Sequence, residues 1–317
     1  MAVLLFAFAQ LWISDMPKQT VARYGITFST LYTKQLGLNV QETYQALVEE
    51  LGVRVVRLPI PWSDVESTQG TFQWDEYDQI IRYSQGRDVK LTLAIGEKVP
   101  RWPECYVPDW AEGFSIAQKD EHVRAFMKAV VERYRSFSVI ERWQVENEPL
   151  FPFGNCTNQI SLEELDRQVE LVRSLDERPI QLTVSGELGP WKPLAQRSDI
   201  LGLSMYRKTW NEAVGSFVYP LSPEYYQLRA QVVRESTQQL IVSELQAEPW
   251  FPESFDRSLI EEAYQLFPKE QFTSNLDFVR ESGISEAYLW GAEWWYYLKT
   301  HGETRLWETA QTVFNPS

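Results

Sequence analysis

Histidine and cysteine are scarce in this 317-residue chain, with two of each. Two histidines cannot build a multi-histidine metal site, although they leave room for one catalytic triad. The cysteines, Cys105 and Cys156, show no Cys-x-x-Cys or Cys/His spacing, so no zinc site is expected. Basic residues are outnumbered, with 30 Lys and Arg against 44 Asp and Glu and a formal charge of −14. Nucleic acid and anionic membrane surfaces call for concentrated Lys and Arg, so neither is an expected partner. A neutral partner such as a sugar is indifferent to that balance. No GxGxxG or GxxxxGK motif occurs, which removes the usual Gly-rich phosphate cradle. No apolar run reaches the roughly 20 residues that span a bilayer.

Aromatic residues are plentiful by contrast: 13 Trp, 15 Tyr and 16 Phe. That is more Trp than one core needs, and large aromatics outside a core usually line a site. With 44% hydrophobic and 23% charged residues the chain is of ordinary globular composition. The first thirteen residues, MAVLLFAFAQLWI, are apolar but short. They read either as the remnant of an anchor or signal or as a helix packed under the domain, which divides the chain into 1–20 and 21–317. Cys105 and Cys156 lie in Pro- and Trp-rich segments that read as loops, either bonded to each other or as two free thiols. A bond would favour an extracytoplasmic or membrane-anchored location over the cytoplasm. Asn155-Cys156-Thr157 matches a glycosylation sequon. No oligomer is inferred.

From residue 20 onward a short β-branched run followed by an amphipathic stretch recurs. The runs are 24–29, 53–59, 89–96, 140–147, 180–185, 200–206, 240–244 and 284–290. Helical stretches are expected near 39–51, 75–86, 119–136, 161–177, 222–236, 256–282 and 303–313, with a weak one at 188–197. Asn39, Asp75 and Ser161 stand where N-caps belong, and Ser161-x-x-Glu164 spells a capping box. Eight strands alternating with helices give a single (β/α)8 barrel, whose active site forms at the C-terminal strand ends.

Carboxylates end an unusual share of the runs. The fourth closes in Asn147-Glu148-Pro149, and the seventh places Glu244 on the opposite side of the mouth. Two facing carboxylates are what glycoside hydrolysis requires: one protonates the leaving oxygen, and the other attacks the anomeric centre. Glu97, Glu187, Glu248 and Glu293 are secondary candidates, expected to be solvated or salt-bridged. Lys98, near the third strand end, could form a Schiff base in a lyase. Trp143 is expected in the core and Trp74 beside a helix start.

Asn147-Glu148-Pro149 with Glu244 resembles the clan A glycoside hydrolases, the 4/7 retaining barrels. The second run, Gly52 to Trp62 with Arg57-Leu58-Pro59, is similar to that of the cellulase family (family 5). The eighth, Tyr288-Leu289-Trp290, resembles the clan's strand ending in a Trp that floors the sugar site. Ser204 and the absence of a third-strand His depart from the two histidines usual in family 5. The resemblance implies Glu148 as general acid/base and Glu244 as nucleophile. It also implies that Arg57 and Tyr206 support Glu244, and that Asn147 bonds the sugar 2-hydroxyl. Trp290 would be the floor, while Trp102, Trp250 and Trp294 are sugar contacts or the packing of their own loops. The expected activity is retaining hydrolysis of a β-linked glucan or mannan, without cofactor or metal. The alternative is a non-catalytic carbohydrate-binding barrel derived from such an enzyme.

Overall fold

A computed structural model describes residues 21–157, 159–211, 215–251 and 256–315. The apolar segment 1–20 lies outside the described residues. Eight parallel strands close a barrel in sequential order. They are β1 (Arg23–Thr27), β2 (Val55–Pro59), β3 (Lys90–Ile95), β4 (Ile140–Val145), β5 (Ile180–Ser185), β6 (Ile200–Met205), β7 (Gln239–Gln246) and β8 (Glu286–Trp290). A hairpin, Lys208–Asn211 with Gly215–Val218, is inserted after β6. The eight-stranded single barrel expected from the sequence is thus the observed fold. Among the described residues no helix is long and apolar enough to cross a membrane.

Strand alternation sorts the side chains into two populations. Outward residues such as Leu58, Leu93, Trp143, Leu182 and Leu203 join the main core under the helices. Val55, Ile200, Ile241 and Tyr288 form a separate small cluster. They come from β2, β6, β7 and β8, and the Tyr288 ring fills the space that a Cβ on Gly25 would need. Further along the same strand faces stand Arg57 and Trp290, two residues on, and Ser204, four residues on. Period-two alternation therefore lays a polar layer directly above an apolar one inside the barrel.

Glu244 breaks that alternation. By period two it would share the outward face of Val242. The β6–β7 pairing instead runs Leu203 to Val242 and then Ser204 to Glu244, so Ser243 is an extra residue. The β8 pairing shifts over the same stretch, from Ala287–Val242 to Leu289–Leu245. Such a bulge re-aims the next side chain, here bringing Glu244 onto the face of Ser204.

The helices follow the expected scheme with local differences. Asn39 caps the helix Val40–Glu49, its side chain accepting from the Glu42 N–H at 3.0 Å. Ser161 likewise accepts from the Glu164 N–H. Glu164, however, turns its carboxylate to Arg124 and Arg167, so only half of that capping box forms. A complete box sits at Ser115 and Gln118 instead. Asp75 is the first helical residue rather than the cap, with Trp74 preceding it and stacked on Phe72. The long helix expected at 256–282 is two helices, Ile260–Leu266 and Lys269–Glu281. Pro268 separates them because its ring cannot occupy a helix interior without losing a backbone bond. The segment after β8 is a helix, Ala292–Thr300, rather than a loop.

Candidate active site

The centre of the barrel mouth is organised by one buried cation. Arg57 is fully enclosed, and each nitrogen of its guanidinium fork has a partner. Nε donates to Gln144 Oε1 at 2.6 Å, and the fork also reaches Asn147 Oδ1 at 2.6 Å and Glu244 Oε1 at 2.8 Å. A rigid planar fork can tie three strand ends at fixed angles, which a lysine could not. Glu244 has its other oxygen bonded by the Tyr206 hydroxyl at 3.0 Å. Desolvation and the Glu244 charge hold the Tyr206 phenol well above its ordinary range, so it stays a donor. Both supports expected for Glu244 are therefore in contact with it.

Glu148 lies on the other side of the site under different conditions. Its carboxyl accepts a 2.5 Å hydrogen bond from Ser204, and no arginine touches it. Burial first, and then the nearby Glu244 charge, push its pKa up to about 7. One carboxylate is thus held by a guanidinium, while its neighbour is biased to keep a proton. Glu148 adopts φ 44° three residues after the end of β4, and its backbone N–H donates to Thr183. A glutamate in the left-handed region costs on the order of 1–3 kcal/mol, which the surrounding contacts must over-determine.

Asn147 connects the halves. Its amide oxygen accepts from Arg57, from Thr183 at 3.0 Å and from Gln144 at 3.3 Å. With three donors fixing the oxygen, the amide nitrogen can point only one way, and it donates to Glu104 Oε2 at 3.0 Å.

Glu104 belongs to the long loop after β3, which folds over the mouth. Cys105 and Cys156 are joined in a disulfide between the β3 and β4 loops, with Cα atoms 5.2 Å apart. Arg101 and Glu104 both hold positive φ, 91° and 71°. Gly154 permits the approach of the β4 loop, because a Cβ there would lie 2.6 Å from Glu104 Cβ. Arg101 crosses to the far side of the barrel, pairing with Glu248 and with Glu293 at 3.0 Å. Its guanidinium lies between the rings of Tyr32 and Trp290, 3.9 and 4.2 Å from their centres. At the base of the loop Glu146 accepts from the backbone N–H groups of Glu97 and Lys98, at 3.1 and 2.6 Å. Burial and the Glu97 charge raise the Glu146 pKa to about 8.

The secondary carboxylates are buried and partnered. Glu97 pairs with Lys119 at 2.7 Å, and Glu187 accepts from the Tyr206 N–H and the Tyr226 hydroxyl. Lys98 donates to the carbonyls of Glu148 and Phe151, which makes it a brace for the β4 turn.

The aromatic candidates divide. Trp290 sits at the end of β8 with its ring 6.4 Å from Tyr206, beside the polar centre. Trp250 approaches Tyr206 at 5.5 Å and Phe153 at 5.7 Å, and Phe153 leads on to Trp102 at 6.0 Å. Trp102 is 61% exposed at the rim of this aromatic line. Trp294 is the correction: it is wholly buried on the helix Ala292–Thr300, against Phe251 and Tyr297. It faces the core because the segment is helical, and it cannot meet a ligand at the mouth. Trp295 is buried with it, donating to the Ala247 carbonyl.

Sequence reasoning passed over Arg101, Glu104, Gln144 and Glu146. Gln144 and Glu146 were within reach, being two and four residues beyond Arg142 on the inward face of run four. Nothing local marks Arg101 and Glu104, whose positions depend on a loop held by long-range contacts. Among the described residues no cluster of His, Cys, Asp and Glu has the arrangement of a metal site.

Residues 17–165 match the model of glycosyl hydrolase family 10. A β-galactosidase, BgaB, from Geobacillus sp. (strain Y412MC61) is 24% identical over 128 residues, covering 35% of this chain and 19% of the relative. The chain thus spans about a fifth of the length of the curated relatives it matches. An exo-β-1,4-mannosidase from Opitutaceae bacterium strain TAV5 shares the fold with a TM-score of 0.58 at 14% identity, over 92% of this chain and 58% of that one. A family 5 subfamily 18 protein from Bifidobacterium longum, solved with Manβ1-4GlcNAc, gives a TM-score of 0.58 at 10% identity, over 84% and 68%. The resemblance to clan A glycoside hydrolases therefore holds in the family-model match and in the fold.

Proposed function

We propose that this protein is a retaining β-glycoside hydrolase acting on a β-linked oligo- or polysaccharide of the glucan or mannan type. The observation that carries the reading is the unequal treatment of two neighbouring carboxyls. Glu244 is held by Arg57 and Tyr206, whereas Glu148 has its pKa raised to about 7. Glu244 attacks the anomeric carbon while Glu148 gives its proton to the departing oxygen. The resulting glycosyl ester is then hydrolysed by a water that Glu148, now ionised, deprotonates. Arg57 on one oxygen of Glu244 and Tyr206 on the other keep the carboxylate oriented for attack. Trp290 offers a ring face near the reacting sugar, and the line through Trp250 to Trp102 suits the leaving-group side.

The Cys105–Cys156 bond supports placing the protein in an oxidising, extracytoplasmic compartment, whether free or membrane-anchored. A panel of aryl β-glycosides tests the activity with wild type, Glu148→Gln and Glu244→Gln. Cleavage by wild type that both variants lose supports the proposal. Unaltered turnover by Glu244→Gln contradicts it, and sugar binding without any cleavage favours the non-catalytic barrel. Azide rescue of Glu148→Ala to a β-glycosyl azide would establish both the acid/base role and retention.

A further inference from the structure

We propose that Glu104 is a substrate-binding residue which, together with Asn147, selects sugars bearing a free hydroxyl on the carbon next to the reacting one. The inference rests on the glycosidase reading above and adds Glu104 to the 2-hydroxyl contact that the family resemblance implies for Asn147. Asn147 has its oxygen committed to three donors, so its N–H edge is the part available to a ligand, and that edge points at Glu104. Glu104 is buried from a different loop, with the Lys98 ammonium 3.9 Å away. Its backbone sits at positive φ, and the adjacent disulfide and the close-packed Gly154 hold it there. A substituent reaching Asn147 therefore meets an N–H donor and a carboxyl side by side. A hydroxyl accepts from the first and donates to the second. A hydrogen at that carbon can do neither, and an acetamido group brings bulk into a space bounded by Asn147, Glu104 and the disulfide loop.

The electrostatics support the placement. Burial, and then the charges of Glu244 and Glu148, lift the Glu104 pKa to about 8, with Lys98 opposing. Near neutral pH the group therefore holds a proton and can share a hydrogen bond with a hydroxyl in either direction. It does so without adding a third full negative charge beside the nucleophile.

The test pairs a deletion in the enzyme with a deletion in the substrate. An aryl β-glycoside and its 2-deoxy counterpart are assayed with wild type, Glu104→Gln and Glu104→Ala. Glu104→Ala is expected to lose about 10- to 100-fold in kcat/KM on the 2-hydroxy substrate, the worth of a hydrogen bond to such a group. It should stay within about 3-fold of wild type on the 2-deoxy substrate, because the lost contact is already absent there. Glu104→Gln, which keeps the shape, should fall between them on the first substrate. Equal losses on both substrates would overturn the proposal, since a purely structural role weakens both alike. Unchanged kcat/KM on both would overturn it too. Wild type that cleaves no β-glycoside overturns the glycosidase reading and this inference with it.

Discussion

The two ends of the barrel treat charge in opposite ways. At the N-terminal end, Arg23 and Arg142 face Glu141 and Glu286, two cations for two anions. Arg23 meets Glu141 at 2.6 Å, and Arg142 meets Glu286 at 3.1 Å. At the mouth, Glu97, Glu104, Glu146, Glu148, Glu187, Glu244, Glu248 and Glu293 are all buried. Among the described residues only Arg57, Lys98, Arg101 and Lys119 form ion pairs with them, and Arg207 adds a weaker attraction at Glu187. Burial first of all raises Glu104 and Glu146 to about 8, and Glu148 and Glu187 to about 7. Carboxyls kept protonated near neutral pH inside a pocket are what acid/base chemistry uses, and their cost to the fold is tolerated where function requires it.

The largest expected effect separates the two ends by activity. Glu244→Gln should lower kcat/KM at least ~10⁴-fold with little change in melting temperature. Glu148→Gln should cost ~10²–10⁴-fold, least with the most acidic leaving groups. Glu286→Gln at the opposite end should leave kcat/KM within about 2-fold while destabilising the fold by about 1–3 kcal/mol. A large activity loss there would dissolve the contrast.

Next in size are the buried anchors. Removing Arg57 with Arg57→Met strands Glu244 and should cost about 3–5 kcal/mol in chemical denaturation, besides abolishing activity. Trp294→Ala should cost about 3–5 kcal/mol as a core truncation while leaving KM of the folded enzyme unchanged. Trp290→Ala should instead raise KM or lower kcat, and the pair tests the division of the aromatics.

The smallest effects are in pH. The raised carboxyls bind protons in the folded chain that the unfolded chain has already released above its ordinary carboxylate range. Their contribution to stability is therefore complete below about pH 4.5 and is lost as pH rises through 7 to 8. Melting temperature should fall by a few degrees between pH 6 and 9. Glu146→Gln should flatten that slope, because its proton is no longer titratable. The alkaline limb of kcat/KM should lie near 7 and track Glu148.

Most of the mouth was open to sequence reasoning. Strand periodicity gives both the barrel and the strand ends, and Arg57, Asn147, Glu148, Tyr206, Glu244 and Trp290 all stand at or just beyond such ends. The bulge at Ser243 was not visible, because one extra residue leaves no local signature; placing Glu244 at a strand end was sufficient without it. Trp294 was misplaced because the sequence after Gly291 was read as loop, whereas Ala292–Thr300 forms a helix that turns Trp294 and Trp295 into the core. Arg101 and Glu104 were illegible for a deeper reason. Their positions depend on a disulfide, on Gly154 and on partners across the barrel, none of which is a near neighbour in sequence.

The most direct test of the central claim is to trap the intermediate. A 2-deoxy-2-fluoro β-glycoside with an activated leaving group slows hydrolysis of the glycosyl ester, so peptide mapping by mass spectrometry can find the labelled residue. The account predicts stoichiometric inactivation with the label on Glu244. Label on another residue, or hydrolysis with inversion of the anomeric centre, would contradict it.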